Sequence, residues 1–443
     1  MKRSTLIVLA LAAALASFAY FYEIKRAASK ETTEDESKPA FSIQAQDISS
    51  LTLALAGQKM VFENHNGDWQ VIQPIQTEAD QSVLEGIATE LSSARVTRTL
   101  TAAPDRLSSY GLAPPQVTLE FQLKNGARHK LELGAKDFTG ISAYGIMDSG
   151  KQVSLLPESL LVTTDKSLDE FRDRTVLHVL SSQVTSIDLK NPSNELVVGS
   201  NSGKWQIQKP HATPADSSTV DSLLASLSAA KMTKITSETP TELAKYGLTN
   251  PAVTLHLKLT GDKEATLVVG KKADNDYYAR DTSRPTIFRI NEDLYKKLNE
   301  NLFDFRDKSV YHFDSAQLSR IEIHNASTKE TIICNQDKNG NWTLEQPEGL
   351  KGKSADISKI SVPFETTRAQ EIYDVPPAAI AGRVAKPALE FTFTDKSGNK
   401  MAVRLSAASE GFVYARSNAG AAVLKLEKKI LDDLNFKAAS LTP

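Results

Sequence analysis

The spacing of hydrophobic residues divides the chain into strands and helices. In mid-chain, apolar and polar residues alternate in three short segments bounded by turn residues, a period that predicts β-strands at 184–189, 195–198 and 204–208. Ser202-Gly203 separates the last two segments, and Asn66-Gly67 and Asn339-Gly340 stand at matching places elsewhere. Asn-Gly favours two-residue hairpin turns, so we expect three antiparallel strands at each of these places.

A helix is predicted next. Between Ala215 and Ala230 the apolar residues recur at intervals of three and four, which places them on one face of a helix: Val220, Leu223, Leu224 and Leu227. Asp216 or Ser217 can cap its start. The same spacing occurs earlier, at Leu84, Ile87, Ala88 and Leu91.

A second group of strands follows this helix. A short helix at 242–246 ends at Gly247, and glycine is the usual residue just past a helix C-terminus. Beyond it the pattern predicts a second sheet and a closing helix, at 253–259, 266–269, 277–280, 286–290 and 292–303. Antiparallel sheets with helices packed on one face make the fold class α+β.

Tryptophan marks an internal repeat. The chain has three tryptophans, spaced 136 and 137 residues apart, and each precedes a proline by five positions. These pairs are Trp69 with Pro74, Trp205 with Pro210 and Trp342 with Pro347. One tryptophan per copy is most simply a core or sheet-face residue; the alternative is a platform on which a ligand such as a sugar stacks.

A Tyr-Gly-Leu turn marks the same repeat in two copies. Tyr110, Gly111 and Leu112 match Tyr246, Gly247 and Leu248, and both turns precede a proline and a strand. The third copy keeps the proline, Pro387, but has Gly382-Arg383-Val384 in place of the turn. Nineteen residues after the prolines stand Gly134, Gly270 and, in the third copy, Ser406. Further on, the matching segments are Tyr144-Gly145-Ile146, Tyr278-Ala279-Arg280 and Tyr414-Ala415-Arg416.

An Arg-Asp pair ends the first two copies. These are Arg172 with Asp173 and Arg306 with Asp307, and a histidine follows each at the same offset, at His178 and His312. We interpret the pairs as caps in which arginine pairs with carboxylate to fix one copy against the next. A repeated functional site at each junction is the alternative. The third copy ends differently, as Leu434-Asn435-Phe436-Lys437.

The repeat predicts three tandem domains. A chain of 443 residues has the length of about three ordinary domains. We place the first repeat at 41–174, the second at 175–308 and a divergent third at 309–443.

The N-terminus predicts a membrane anchor at 1–26. An uncharged, mostly apolar run of about 20 residues, enough to span a bilayer, follows Lys2 and Arg3. The positive flank places the N-terminus in the cytoplasm and the rest of the chain outside the inner membrane. Cleavage after Ala14-Leu15-Ala16 is the alternative. The acidic segment 27–40 has the composition of a disordered tether.

Composition excludes some functions. The net charge is −2, so nothing favours nucleic acid as a partner. The single cysteine, Cys334, stands in a predicted strand and is interpreted as a small buried hydrophobe. The seven histidines form no metal motif, and no catalytic or nucleotide-binding signature is present. We therefore predict no catalytic, cofactor or metal site, and any small-molecule ligand is unknown.

The anchor, the Trp-x4-Pro element, the Tyr-Gly-Leu turn and the repeated copies resemble a bacterial family labelled only as a domain of unknown function, DUF4340. The resemblance covers nearly everything after residue 40. It implies a membrane-anchored protein, often encoded beside gliding-type ABC transporter components. The family supplies no catalytic residues to carry over.

Two functional hypotheses follow. The first is a non-catalytic, membrane-anchored scaffold or accessory with a membrane or envelope protein partner, since linked modules gain avidity. The alternative is a module that binds cell-wall polysaccharide or peptidoglycan through exposed aromatic residues such as Tyr110, Tyr246, Tyr278 or Tyr414. An enzyme is a third hypothesis, with no reactive group of residues to support it.

Overall fold

The computed structural model describes residues 37–55, 57–100, 104–312 and 314–443. The predicted anchor at 1–26 lies outside these residues, as does the predicted tether at 27–40 up to residue 36. The end of that segment is not disordered, since Lys38 and Pro39 form a short strand that pairs with Val96 and Arg95. Within the described ranges, no helix has both the length and the apolar character needed to cross a membrane. The chain divides into two compact units, the first ending at Thr175 and the second beginning at Val176.

The first unit is built on an antiparallel sheet of nine strands, beside a separate pair of short strands. Its strands are β1 (Lys38–Pro39), β2 (Ile48–Leu55), β3 (Gln58–His65), β4 (Asp68–Gln73), β5 (Thr77–Glu78), β6 (Arg95–Val96), β7 (Arg98–Leu100), β8 (Val117–Leu123), β9 (Arg128–Lys136), β10 (Ser142–Met147) and β11 (Val153–Pro157). Its helices are α1 (Gln81–Ser93), α2 (Glu158–Thr164) and α3 (Leu168–Phe171), with 3-10 helices at Ala45–Asp47 and Pro104–Tyr110.

The second unit holds two sheets. The second sheet contains β12 (Val184–Lys190), β13 (Glu195–Asn201), β14 (Lys204–Lys209), β15 (Thr213–Pro214), β16 (Lys234–Ser237), β17 (Val253–Leu259), β18 (Lys263–Ala273), β19 (Asp276–Asp281) and β20 (Ile287–Ile290). Its helices are α4 (Ser217–Ala229), α5 (Glu292–Leu298) and α6 (Leu302–Phe305), with 3-10 helices at Ser181–Gln183 and Leu243–Tyr246.

The third sheet completes this unit. It contains β21 (Leu318–Asn325), β22 (Thr331–Gln336), β23 (Trp342–Gln346), β24 (Glu371–Tyr373), β25 (Leu389–Asp395), β26 (Lys400–Leu405), β27 (Phe412–Ser417) and β28 (Val423–Glu427). Its helices are α7 (Ser358–Thr366), α8 (Ala378–Ala385) and α9 (Lys429–Leu434), with 3-10 helices at Glu348–Leu350 and Ala438–Leu441.

The three large sheets share one order of strands. The first runs β5-β4-β3-β2-β8-β9-β10-β11-β7, the second runs β15-β14-β13-β12-β17-β18-β19-β20-β16, and the third runs β23-β22-β21-β25-β26-β27-β28-β24. The expectation of two sheets in each copy was wrong. Leu51 in β2 lies opposite both Phe62 in β3 and Phe121 in β8, so one strand joins the two groups. Alternation shows which face of a strand is buried but not which strands pair along its edges.

The long helix of each of the first two sheets forms as the spacing predicted. α1 buries Leu84, Ile87, Ala88 and Leu91, and α4 buries Val220, Leu223, Leu224 and Leu227. The Asp80 carboxylate accepts hydrogen bonds from the backbone N–H groups of Ser82 and Val83, and Asp216 accepts one from Thr219. Each cap satisfies donors that the helix itself leaves unpaired.

Each large sheet has its own hydrophobic core. The buried residues of the three cores come from 41–171, 176–305 and 310–441. No core therefore draws on more than one of the predicted repeats, although the boundaries of those repeats remain predictions.

Two details differ from the expected arrangement. The closing helix at 292–303 is two helices, α5 and α6, because the side chain of Asn301 caps a new helix start. Helices also lie on both faces of the sheets. In the first sheet, Tyr110 packs with Leu112 and Ile146 in a small cluster separate from the main core, so the 3-10 helix that ends at Tyr110 covers the opposite face.

Candidate functional site

The three tryptophans differ in burial. Trp69 and Trp342 are buried in the cores of the first and third sheets. Trp205 packs against the second core while remaining partly exposed, and its indole N–H donates to the Asp221 carboxylate over 3.2 Å. Trp69 and Trp342 therefore have no free face for stacking a sugar. The peptide bonds before Pro74, Pro210 and Pro347 are all cis.

The Tyr-Gly-Leu turn packs against a glycine in a neighbouring strand. Gly111 and Gly247 adopt the left-handed conformation, with φ of 67° and 75°, which glycine adopts without steric cost. A Cβ at Gly134 would lie 3.0 Å from the carbonyl carbon of Gly111 and closer still to the carbonyl oxygen of Tyr110. Gly270 meets the second turn in the same way. The two glycines therefore allow the turn to approach the sheet.

The third sheet lacks both members of this contact. Ser406 replaces the glycine, donating through its hydroxyl to Ala407 and accepting from the N–H of Tyr414. The helix α8 stands where the first two copies have the 3-10 helix and turn. Loss of the turn and replacement of the glycine therefore belong to one structural change.

Each of the three sheets carries a pair of tyrosines, of which Tyr144, Tyr278 and Tyr414 occupy matching positions. The ring centroids are 4.6 Å apart for Tyr110 and Tyr144, and 5.0 Å apart for Tyr246 and Tyr278. In the third sheet Tyr414 lies 6.4 Å from Tyr373, which comes from β24 rather than from a turn. All of these rings are half-buried. Sequence comparison missed Tyr373 because it lies at a different place along the chain.

The third pair has an acidic neighbour. The Tyr373 hydroxyl donates to the Glu371 carboxylate, and this hydrogen bond raises the pKa of Tyr373 to about 12. Lys425 also binds Glu371, over 2.7 Å. In the second sheet the guanidinium of Arg289 lies 5.3 Å from the centre of the Tyr278 ring. Cations therefore flank the tyrosine pairs of the second and third sheets.

The Arg-Asp pair at the end of the second repeat contacts the third. Arg306 is buried, and its two terminal nitrogens each lie 2.8 Å from an oxygen of Asp374. His211, from the second repeat, lies 3.4 Å from the same carboxylate. Asp374 carried no signal in the sequence, because nothing in the repeat pattern marks it as a partner of Arg306.

The neighbouring aspartate organises the chain that follows. Asp307 accepts hydrogen bonds from His312 and from the N–H of Ser309. Although burial alone would raise the pKa of Asp307, these hydrogen bonds hold it below its usual value. The bond to Asp307 raises the pKa of His312. At the end of the first repeat, Arg172 is buried and lies 3.5 Å from Asp169.

One cavity lies against the strands of the first sheet. It has a volume of about 700 Å³ and is lined by residues of β2, β8 and β9 and of the turn after β10. Two ion pairs lie at this cavity, since His129 contacts Asp148 at 3.0 Å and Lys130 contacts Glu132 at 2.7 Å. Arg128 and Glu120 also line it and form no ion pair in the described part of the chain.

Cys334 lies in β22 and is fully buried. Burial raises the pKa of its thiol to about 11. A thiol in this state is protonated at neutral pH and is a poor nucleophile, which agrees with its interpretation as a core residue.

Comparison with known proteins identifies a family. No curated protein sequence matches the chain. Two solved DNA polymerase III beta subunits are similar over 88% of this chain and 93% of their own. One is a sliding clamp from Pseudomonas aeruginosa bound to griselimycin, with 8% sequence identity and a TM-score of 0.12. The other is from Eubacterium rectale, with 9% sequence identity and a TM-score of 0.15. TM-scores this low carry no inference.

The model of one family matches residues 69–204 and 205–382. The two matches begin at Trp69 and Trp205 and span more than half of the chain. The chain therefore belongs to the family described as a domain of unknown function, DUF4340.

Proposed function

We propose that this chain is a non-catalytic scaffold or accessory protein, anchored in the inner membrane by its N-terminal segment and carrying three tandem α+β repeats outside the cytoplasm. The contact between Arg306 and Asp374 carries the proposal. A scaffold must hold its modules at fixed spacing, and a bidentate contact between a buried guanidinium and a carboxylate has a defined geometry.

Backbone hydrogen bonds support the same junction. The N–H of Asp216 donates to Phe305, and the N–H of Asp307 donates to Pro214, so the end of the second repeat binds the start of its own long helix. The N–H of Ala369, in the third repeat, donates to Lys308 over 2.9 Å. The segment around Arg306 is therefore held on both sides.

One hairpin tip favours a position beside the membrane. Phe138 and Ile141, between β9 and β10, are 97% and 75% exposed. Asp137 orders this tip by accepting hydrogen bonds from Thr139 and Ser142. The matching tips of the other sheets carry no large apolar residue: they contain Asp274-Asn275 in the second sheet and residues 407–411 in the third. Only the repeat that follows the predicted anchor presents large apolar side chains there, and a lipid surface would cover them.

Crosslinking in native membranes tests the scaffold proposal. A photoreactive residue at Val375, which is 89% exposed beside the junction, is expected to capture a membrane or envelope protein. The same residue at Val162, on α2 of the first unit, is the control. The accessory role is contradicted if the residue at Val375 captures no such protein, or captures only proteins that the residue at Val162 captures equally.

The rigidity of the junction has its own test. Spin labels at Lys258→Cys and Lys400→Cys report the distance between the second and third sheets. Asp374→Asn is expected to broaden this distance distribution, whereas Asp432→Asn, which removes an exposed ion pair in α9, is not. A distribution that stays narrow in Asp374→Asn removes the observation on which the proposal depends.

The tyrosine pairs favour a second candidate, a polysaccharide-binding module. Half-exposed aromatic pairs recur in all three sheets and could contact sugar rings. Purified peptidoglycan should then pellet the full chain but not a variant with alanine in place of both tyrosines of every pair: Tyr110, Tyr144, Tyr246, Tyr278, Tyr373 and Tyr414. Equal pelleting of both proteins would eliminate this candidate.

A further inference from the structure

The third sheet has a cavity that combines two arginines with a small apolar wall. Its volume is about 500 Å³, and it lies between α8 and the strands β26 and β27. Arg404 and Arg416 lie opposite each other on these strands and point away from the main core, since their neighbours Val403 and Ala415 are core residues. Cavities of roughly 300–1,000 Å³ hold small molecules in other proteins.

The charges around the two arginines do not balance. Glu390 lies 2.9 Å from Arg404, and Lys425 on the same sheet is matched by Glu371. Arg416 forms no ion pair with any carboxylate in the described part of the chain. Like charges directly opposite each other across two strands are destabilising, so the site has an excess positive charge without a protein partner.

The other two sheets show that the fold does not require this pair. The matching positions hold Glu132 opposite Ile146 in the first sheet and Val268 opposite Arg280 in the second. Ile146 belongs to the small cluster beneath the Tyr-Gly-Leu turn. Where the first sheet buries an isoleucine, the third therefore has an arginine facing a cavity.

The wall opposite the arginines suits a small ligand. Ala381, Val384 and Ala385 of α8 line the cavity together with Ala402. Their short side chains leave space above the guanidinium groups. The side chain of Asn418 accepts a hydrogen bond from the N–H of Ala402 and so fixes the loop at the mouth of the cavity.

We propose that this cavity binds a small organic anion, whose carboxylate or phosphate group contacts Arg416 and Arg404 while its apolar part lies against α8. A planar guanidinium binds either oxyanion through two parallel hydrogen bonds. The bound anion supplies the negative charge that balances Arg416. This site is independent of the proposed anchor and scaffold.

Calorimetric titration of the full chain in mild detergent tests the proposal with three probes at constant ionic strength: succinate, glycerol 3-phosphate and inorganic phosphate. We expect saturable binding of at least one organic probe. Preference for succinate over glycerol 3-phosphate, or the reverse, identifies the oxyanion, and inorganic phosphate measures the contribution of the apolar part.

Arg416→Ile, which copies the first sheet, should weaken binding by at least about tenfold, as expected for a lost charged hydrogen bond. It should leave the melting temperature without ligand unchanged or raised, because it removes a like-charge pair. Arg280→Ile, the matching change in the second sheet, should bind like the wild type. The proposal is overturned if no probe binds saturably, if Arg416→Ile binds as tightly as the wild type, or if Arg280→Ile weakens binding as much as Arg416→Ile does.

Discussion

The contact between the Tyr-Gly-Leu turn and its glycine can be broken by a single methyl group. In Gly134→Ala the new Cβ would lie 2.9 Å from a side-chain carbon of Leu112 and 3.0 Å from the carbonyl carbon of Gly111. Carbon atoms pack best at about 3.5–4.0 Å. The carbonyl oxygen of Tyr110 would lie closer still. The turn must therefore withdraw by roughly 1 Å or more, since the strand that carries residue 134 is held by β8 and β10 on either side.

The cost has two parts. Inserting a methylene-sized group into a packed site costs about 1–3 kcal/mol. Withdrawal of the turn also separates Tyr110 from Tyr144, and such aromatic pairs contribute about 0.5–1.5 kcal/mol. We therefore expect Gly134→Ala to lower the free energy of unfolding of the first unit by about 2–4 kcal/mol.

Urea denaturation followed by tryptophan fluorescence measures this change. The parent chain and both glycine variants carry phenylalanine in place of Trp205 and Trp342. Trp69, in the first unit, is then the only tryptophan and the only source of the fluorescence signal. The matched control is Gly86→Ala in α1, where a new Cβ meets nothing within 4 Å. Alanine is a better helix former than glycine, so this control should stabilise the unit by about 0.5–1 kcal/mol.

The reasoning is refuted if Gly134→Ala unfolds at the same urea concentration as its parent. A decrease in the free energy of unfolding of less than about 0.5 kcal/mol, which is typical of an unrelated surface substitution, would also refute it. Either result would show that the turn moves away from the strand at little cost.

Three further predictions concern single groups. Cys334, with a thiol pKa of about 11, should resist alkylation at pH 8 in the folded protein and react only after unfolding. Histidine NMR titration should give His312 a pKa above the ordinary 6.5, and Asp307→Asn should lower this pKa. The contact between His312 and Asp307 therefore stabilises the folded protein fully below pH 6.5, and this stabilisation is lost as the pH rises through the raised pKa. Asp216→Ala should lower the free energy of unfolding, measured by chemical denaturation, by about 1 kcal/mol, because the helix cap is lost. This cost should be smaller below about pH 4, because hydrogen bonds lower the pKa of Asp216 despite its burial.

Local structure was predictable where the chain repeats a strong pattern. The apolar spacing of α1 and α4 identified their buried faces, because a helix has a fixed period and a side chain such as Asp216 can cap only the helix that follows it. The left-handed glycine after Tyr246 was predictable for the same reason, as its requirement is local to the backbone.

Pairing across long stretches of chain was not predictable. The joining of β2 to β8 and the contact of Arg306 with Asp374 depend on where strands and loops meet in space. Repeat matching also compares residues at equal spacing, so it missed Tyr373, whose ring lies near that of Tyr414 but which comes from another part of its copy. Arg404 was missed because it is an ordinary exposed strand residue until Arg416 is seen opposite it.

The divergence of the third copy is a coordinated change rather than simple decay. Without the Tyr-Gly-Leu turn, the glycine that admitted it is no longer needed, and Ser406 forms hydrogen bonds in its place. The lost tyrosine is replaced from β24 by Tyr373. The space beneath the missing turn is covered by α8 and faced by Arg404 and Arg416 instead of an isoleucine cluster. Simple loss of structure gives no reason for two like-charged arginines to face each other beneath a new helix. Their placement therefore agrees with the proposed anion site, which the first two copies do not share.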